Sequence, residues 1–186
     1  MRATNLSARI DTGIARVQAL HPGMPVEAVR LVRLTDFVSR MIFARLERFF
    51  IRHGLTDTSW LFLMSLYTAP QGVRNPSEVG QVLGQSKPHM TRLSDGLLAK
   101  GLIRRANSAE DRRRVVLTLT AKGRRTVERL IPFVWVQHRQ LAAGLSEADS
   151  RQLAVLLGRW LGQLDGSAGG EQARRGDDRE VRAGLE

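Results

Sequence analysis

Apolar residues recur every three or four positions along most of this chain, and every second position in one short stretch. Ile10, Ile14 and Val17 predict a short amphipathic helix over 8–20, broken by His21-Pro22-Gly23-Met24-Pro25. A long helical pattern then runs from Val26 to Arg52. Val29, Val32, Phe37, Met41, Leu46, Phe49 and Phe50 lie on its broad apolar face, and Gly54 suits the position just past its end. Thr56 can cap the next helix. Trp60 to Tyr67 is apolar almost all round, which predicts a helix buried on most sides.

Two short helices follow. Pro76 to Leu83 turns Val79, Val82 and Leu83 inward, and Pro76 suits a first helical turn because its missing N–H has no partner there. Gly84-Gln85 makes a tight turn. Ser86 can cap a second helix to Lys100 with Met90, Leu93, Leu97 and Leu98 inward, and Gly101 ends it. Two helices joined by a short glycine turn match a helix-turn-helix. Leu102 to Ala106 and Arg114 to Leu119 read as hairpin strands, since Val115, Leu117 and Leu119 alternate with Arg114, Val116 and Thr118. Helix-turn-helix plus hairpin predicts a winged helix. Beyond it, Thr120 to Gly144 is helical again, with Pro132 inside it. Ser146-Glu147-Ala148-Asp149 resembles a capping box and opens a last helix bearing Leu153, Leu156, Leu157, Trp160, Leu161 and Leu164. From Gly166 the composition turns to Gly, Ser, Arg and Asp, which predicts disorder.

Charge sharpens this picture. The chain carries a net +11 over 186 residues, unevenly spread. From Ser86 to Arg129 there are 12 Lys/Arg against 4 Asp/Glu, whereas Gly166 to Glu186 has 4 Arg against 5 acids. A basic concentration in a folded segment points to a polyanion partner, and together with the helix-turn-helix and hairpin to double-stranded DNA. The absence of cysteine excludes disulfides, Cys-ligated zinc and thiol redox sensing. No signal-like or membrane-spanning apolar run is present, so no membrane association and a cytoplasmic location are expected. His21, His53, His89 and His138 lack metal-ligand spacing, and no glycine-rich phosphate loop appears. No cofactor, metal or catalytic residue is expected, and the chain reads as a non-enzyme.

A recognition helix must offer polar side chains from its N-terminal half to the major groove. With Met90, Leu93 and Leu97 inward, Ser86, Lys87, Pro88, Thr91 and Arg92 lie outward and His89 at the flank. Ser86 and Lys87 sit where helix-start N–H groups favour phosphate. Arg92 is placed for a guanine edge or a phosphate; alternatively it pairs with Asp95 one turn on. In the hairpin, Asp111, Arg112, Arg113 and Arg114 form the candidate wing contacts. Successive arginines alternate direction, so at most two face one minor groove, whose negative potential attracts guanidinium groups. Asp111 repels phosphate, which suits it to hold the turn or brace an arginine. Trp60 and Trp135 read more readily as core than as pocket walls.

Asp111-Arg112-Arg113 and Leu119-Thr120-Ala121-Lys122-Gly123, with Thr91-Arg92-Leu93 and Lys100-Gly101-Leu102-Ile103 before them, resemble the MarR family of bacterial winged-helix regulators. The resemblance spans roughly Val26 to Leu164. The extra N-terminal helix and the 86–92 segment look closest to the EmrR-like multidrug-efflux repressor subgroup. The resemblance implies a homodimer, and Val26–Arg52 and Ser146–Leu164 agree, carrying more apolar surface than one small winged helix covers. Two-fold symmetry then predicts a pseudo-palindromic operator. The resemblance also implies that Asp111 and Arg113 form the wing tip, with Arg113 toward the minor groove. It implies a small aromatic or lipophilic effector near Phe37, Met41, Trp60 and Met64.

The predicted fold is mainly α: a winged helix-turn-helix with a two-stranded β-hairpin wing and a helical dimerisation domain. Its parts are a short helix and linker at 1–25, a helical dimerisation region at 26–68 and 120–165, a winged helix at 69–119 and a disordered tail at 166–186. The expected function is a repressor released from DNA by its effector. The alternatives are a MarR-type activator, or an architectural protein that binds DNA with little sequence preference.

Overall fold

The computed structural model describes the backbone of residues 3–107 and 115–183 and the side chains of residues 6–107 and 115–166. The chain divides into two compact units, residues 1–137 and 138–186. In the first, α1 (Ala3–Leu20) and α2 (Val26–Ile51) precede α3 (Asp57–Tyr67), a two-residue strand β1 (Val73–Arg74), and the helix pair α4 (Pro76–Leu83) and α5 (Lys87–Ala99). The hairpin strands β2 (Ile103–Asn107) and β3 (Val115–Leu119) follow. Helix α6 (Ala121–Leu141) begins in the first unit and ends in the second, which α7 (Glu147–Ala183) completes. Among the described residues no helix is long and apolar enough to cross a membrane.

α3 is the centre of the core, as its all-round apolar sequence predicts. Phe62, Leu63 and Leu66 have no exposed surface, and α3 packs on α2, α4 and β3. Phe50 at the end of α2 stacks on Trp60 with ring centroids 5.3 Å apart, and Phe49 meets Phe50 edge-on at 5.1 Å. Such pairs add about 0.5–1.5 kcal/mol each beyond the area they bury. The start of α3 is satisfied twice. Thr56 accepts the Ser59 N–H at 3.0 Å, and the Glu47 carboxylate accepts the Asp57 N–H at 2.6 Å. The buried Ser65 hydroxyl donates to the Phe62 carbonyl at 2.8 Å, so no buried side-chain polar atom among the described residues lacks a partner.

The sheet has one strand more than the sequence pattern predicts. Its order is β1-β3-β2, antiparallel throughout, with Val73 opposite Thr118 and Arg74 opposite Leu117. Two residues are too few to show alternation, so β1 leaves no trace in the hydrophobic pattern. It is held from the other side as well: Arg74 Nε donates to the Ser65 carbonyl at 2.9 Å. Trp135 also departs from expectation: it stays 62% exposed on α6 instead of joining the core.

In the second unit, Ser146 and Asp149 form the capping box that their spacing predicts. The Ser146 hydroxyl accepts the Asp149 N–H at 3.1 Å, while the Asp149 carboxylate accepts from the Ser146 N–H at 3.1 Å and from its hydroxyl at 2.5 Å. These hydrogen bonds hold the Asp149 carboxyl below the ordinary aspartate value of 3.8. A depressed folded-state value means that the cap stabilises fully above the ordinary value and is lost as pH falls below it. Acid is therefore expected to fray the first turn of α7. Protection of the amides near Ser146 and Asp149, measured against intrinsic exchange, should fall as pH drops through the carboxylate range, more than in an Asp149→Asn variant, and equal pH profiles would refute this. α7 runs to Ala183; from residue 167 only its backbone is described.

Candidate nucleic-acid interface

Helix α4 starts on an Asn75 cap, whose side chain accepts the Glu78 N–H at 2.9 Å. It ends on Gly84, whose φ of 59° lies in the left-handed region open to glycine. That reversal sends the chain directly into α5. The two helices touch closely, since a Cβ on Gly80 would stand 3.3 Å from Met90 Cγ. On α5, Met90, Ser94 and Leu97 are buried, which turns the other face outward.

That outward face is the predicted one. Ser86, Lys87, Pro88, Thr91 and Arg92 are all exposed, and His89 is half-buried at the flank. Ser86 occupies the cap position, yet its side chain makes no capping bond. Its hydroxyl and the first-turn N–H groups of Lys87 and His89 are therefore left for solvent or an anion, at the electropositive end of the helix.

The structure decides the partner of Asp95. Arg105 Nη2 on β2 donates to the Asp95 carboxylate at 2.6 Å and to the Ser94 hydroxyl at 3.4 Å, and Ser94 in turn donates to the Thr91 carbonyl at 2.9 Å. The alternative pairing of Arg92 with Asp95 is thus not formed, and Arg92 has no ion pair among the described residues. About half of each side chain in the Arg105–Asp95 pair is exposed, so it is worth roughly 0.2–1 kcal/mol in stability. Its effect is positional: it ties the hairpin base to the second half of α5. Sequence reasoning missed it because ten residues and two element boundaries separate the partners.

Arg104, the neighbour of Arg105, donates from Nε to Thr118 Oγ1 at 3.0 Å across the strand pair. Both arginines at the hairpin base are thus held by the fold. The ladder runs in register from Ile103–Leu119 to Asn107–Val115. The predicted wing contacts Asp111, Arg112, Arg113 and Arg114 fall between those last partners and lie outside the described residues. Beside α5, a groove of about 690 Å³ is walled by α4, α5 and the hairpin base, with Gln81, Lys87, Thr91 and Arg105 among its lining residues.

The four predicted effector residues occupy different surroundings. Phe37 lines a cavity between α1 and α2, and Met41 is 55% exposed. Trp60 is buried in its stack on Phe50, and Met64 packs partly buried against the same core. Among the described residues no cluster of three or more His, Asp or Glu is arranged to hold a metal ion.

A helix pair closed by a glycine turn, a polar face on the second helix and an antiparallel hairpin behind it define a winged-helix DNA-binding protein. Residues 53–114 match the MarR family. PapX from Escherichia coli, an HTH-type transcriptional regulator, is 31% identical over 130 residues, covering 70% of this chain and 77% of PapX. The transcriptional repressor MprA from E. coli K12 is 29% identical over 148 residues, covering 78% of this chain and 82% of MprA. Among solved structures, a cysteine-to-serine mutant of E. coli MarR in complex with operator DNA aligns with a TM-score of 0.66 at 26% identity. That alignment covers 73% of this chain and 96% of the other. The chain belongs to the MarR family of transcriptional regulators.

Proposed function

We propose that this regulator is a repressor that binds a pseudo-palindromic operator as a homodimer and leaves it when a small aromatic or lipophilic effector binds. The observation that carries the DNA-reading part is the outward face of α5. It offers Ser86, Lys87, Thr91 and Arg92 from a helix locked by Met90 and Leu97 into the core and by Arg105 to the hairpin. The operator complex of the similar MarR protein and the repressor function named for MprA support the same reading.

Exposed apolar residues support the homodimer. In the first unit, Leu31, Val38, Ile42 and Phe43 on α2 and Phe133 on α6 face solvent; in the second, Leu153, Leu156, Leu157 and Leu161 do so on α7. Apolar surface of this extent normally marks an interface.

Arg92 reads a base edge in this proposal. Arg92→Ala is expected to lower operator affinity by roughly 5- to 150-fold while changing binding to random DNA little, the signature of a lost guanine contact. Equal losses on both DNAs in a titration at fixed salt would make Arg92 a phosphate contact instead. Arg113→Ala is expected to weaken operator binding strongly with fold and dimer intact, and an unchanged gel shift would remove Arg113 from the wing assignment. Selection from random DNA at physiological salt separates a regulator from an architectural protein: an enriched inverted repeat supports the first, no enrichment the second.

A further inference from the structure

The cavity between α1 and α2 has a composition that selects a ligand. Its volume is about 640 Å³, within the range of small-molecule sites. Ile10, Ile14, Val29 and Phe37 make its walls apolar, and it also meets two cations, Arg9 and Arg33. Neither arginine forms an ion pair among the described residues. The nearby Asp11 and Glu27 carboxylates are both directed to Arg30, at 2.8 and 4.0 Å. The Arg33 guanidinium lies 5.6 Å from the Phe37 ring centroid, so charge and apolar wall adjoin.

The wall has a second peculiarity. Gly13 lines the cavity from the middle of α1, where glycine costs a helix about 1 kcal/mol relative to alanine. No atom lies within 4 Å of the place its Cβ would take, so packing of the chain itself does not require glycine there. What the glycine does is keep the cavity open on the α1 side.

We infer that the α1–α2 cavity binds an amphipathic carboxylic acid, its apolar body between Ile10, Ile14, Val29 and Phe37 and its carboxylate between Arg9 and Arg33. This deepens the effector reading proposed above and rests on it for its consequence on DNA, though not for the binding itself. It keeps Phe37 of the predicted effector residues and leaves Trp60 and Met64 to the core. A carboxylate suits the site because guanidinium groups recognise it through paired, charge-assisted hydrogen bonds, and a neutral ligand forgoes them.

The experiment is calorimetric titration of the full chain, without DNA, using decanoate and its uncharged analogue decanol. Decanoate is expected to bind saturably and at least about tenfold more tightly than decanol, the effect of one charge-assisted contact. Gly13→Leu fills the cavity from a position with free space and is expected to abolish decanoate binding without lowering the unfolding midpoint, since a mid-helix glycine is replaced by a better helix former. The double substitution Arg9→Gln with Arg33→Gln, on exposed side chains, is expected to erase the preference for decanoate over decanol. Decanoate binding that survives Gly13→Leu, or equal affinity for the two probes, would overturn the inference. A loss of the two-chain species on Gly13→Leu would also overturn it, because the cavity would then be the seat of a second copy. Decanoate binding that is lost in Gly13→Leu yet leaves operator affinity unaltered in the wild-type chain supports the site and overturns only the release of DNA by effector.

Discussion

Gly123→Ala is expected to destabilise this protein by about 3 kcal/mol and to lower its unfolding midpoint by about 10 °C. A Cβ at residue 123 would stand 1.9 Å from the Leu102 carbonyl oxygen and 2.9 Å from its carbon. The obstacle is backbone, which cannot rotate aside as a side chain can. That carbonyl is also pinned, since it accepts the Thr120 N–H at 3.0 Å. Thr120 closes the knot: its hydroxyl donates to the Gly101 carbonyl at 2.7 Å and accepts the Gly123 N–H at 3.0 Å. Alanine normally strengthens a helix by about 1 kcal/mol over glycine, so the sign of the result tells which effect wins. Gly96→Ala is the control, because no atom lies within 4 Å of its added Cβ, and it is expected to stabilise slightly. Equal midpoints for wild type and Gly123→Ala in thermal unfolding would show that α6 can move off the hairpin at little cost.

The double substitution Leu153→Glu with Leu157→Glu is expected to convert the proposed dimer to single chains and to weaken operator binding by on the order of 100-fold or more. The two leucines are one helical turn apart on α7, and each is at least 40% exposed in the single chain. Carboxylates there leave the fold of the chain untouched but put unpaired charge into any interface that covers them. A dimer gains from its second recognition helix because that helix binds within one complex at high effective concentration, and a monomer forfeits this gain. Sedimentation equilibrium reads the mass and a filter-binding titration reads the affinity. A two-chain mass for the double variant would exclude this stripe as the interface. A one-chain mass with unchanged affinity would show that a single winged helix suffices for operator binding.

The outward face of α5 was legible from periodicity, although the same reasoning on α4 turned Val82 inward, where the structure leaves it 60% exposed. With Met90 and Leu97 inward, Lys87, Thr91 and Arg92 have nowhere to point but out. The Thr56 cap and the Ser146–Asp149 box were legible for a similar reason, as their partners stand three residues apart. The contacts around the hairpin base were not. Arg105 lies ten residues from Asp95, Thr120 nineteen from Gly101, and Arg74 nine from Ser65, each across element boundaries. Nothing in local pattern distinguishes those partners from other arginines and threonines nearby.

By itself, then, the sequence determined the elements, their order, the polar face of α5 and the winged-helix class, because apolar spacing, caps and turn residues act over a few positions. Tertiary structure alone decided that Asp95 braces Arg105 instead of pairing with Arg92, that β1 joins the sheet, and that Gly123 is a packing requirement. It also decided that Phe37 faces a cavity with two arginines and that Trp135 stays exposed. The physical reason is that those outcomes depend on which distant backbone segments come within a few ångströms, and that is set by packing around α3.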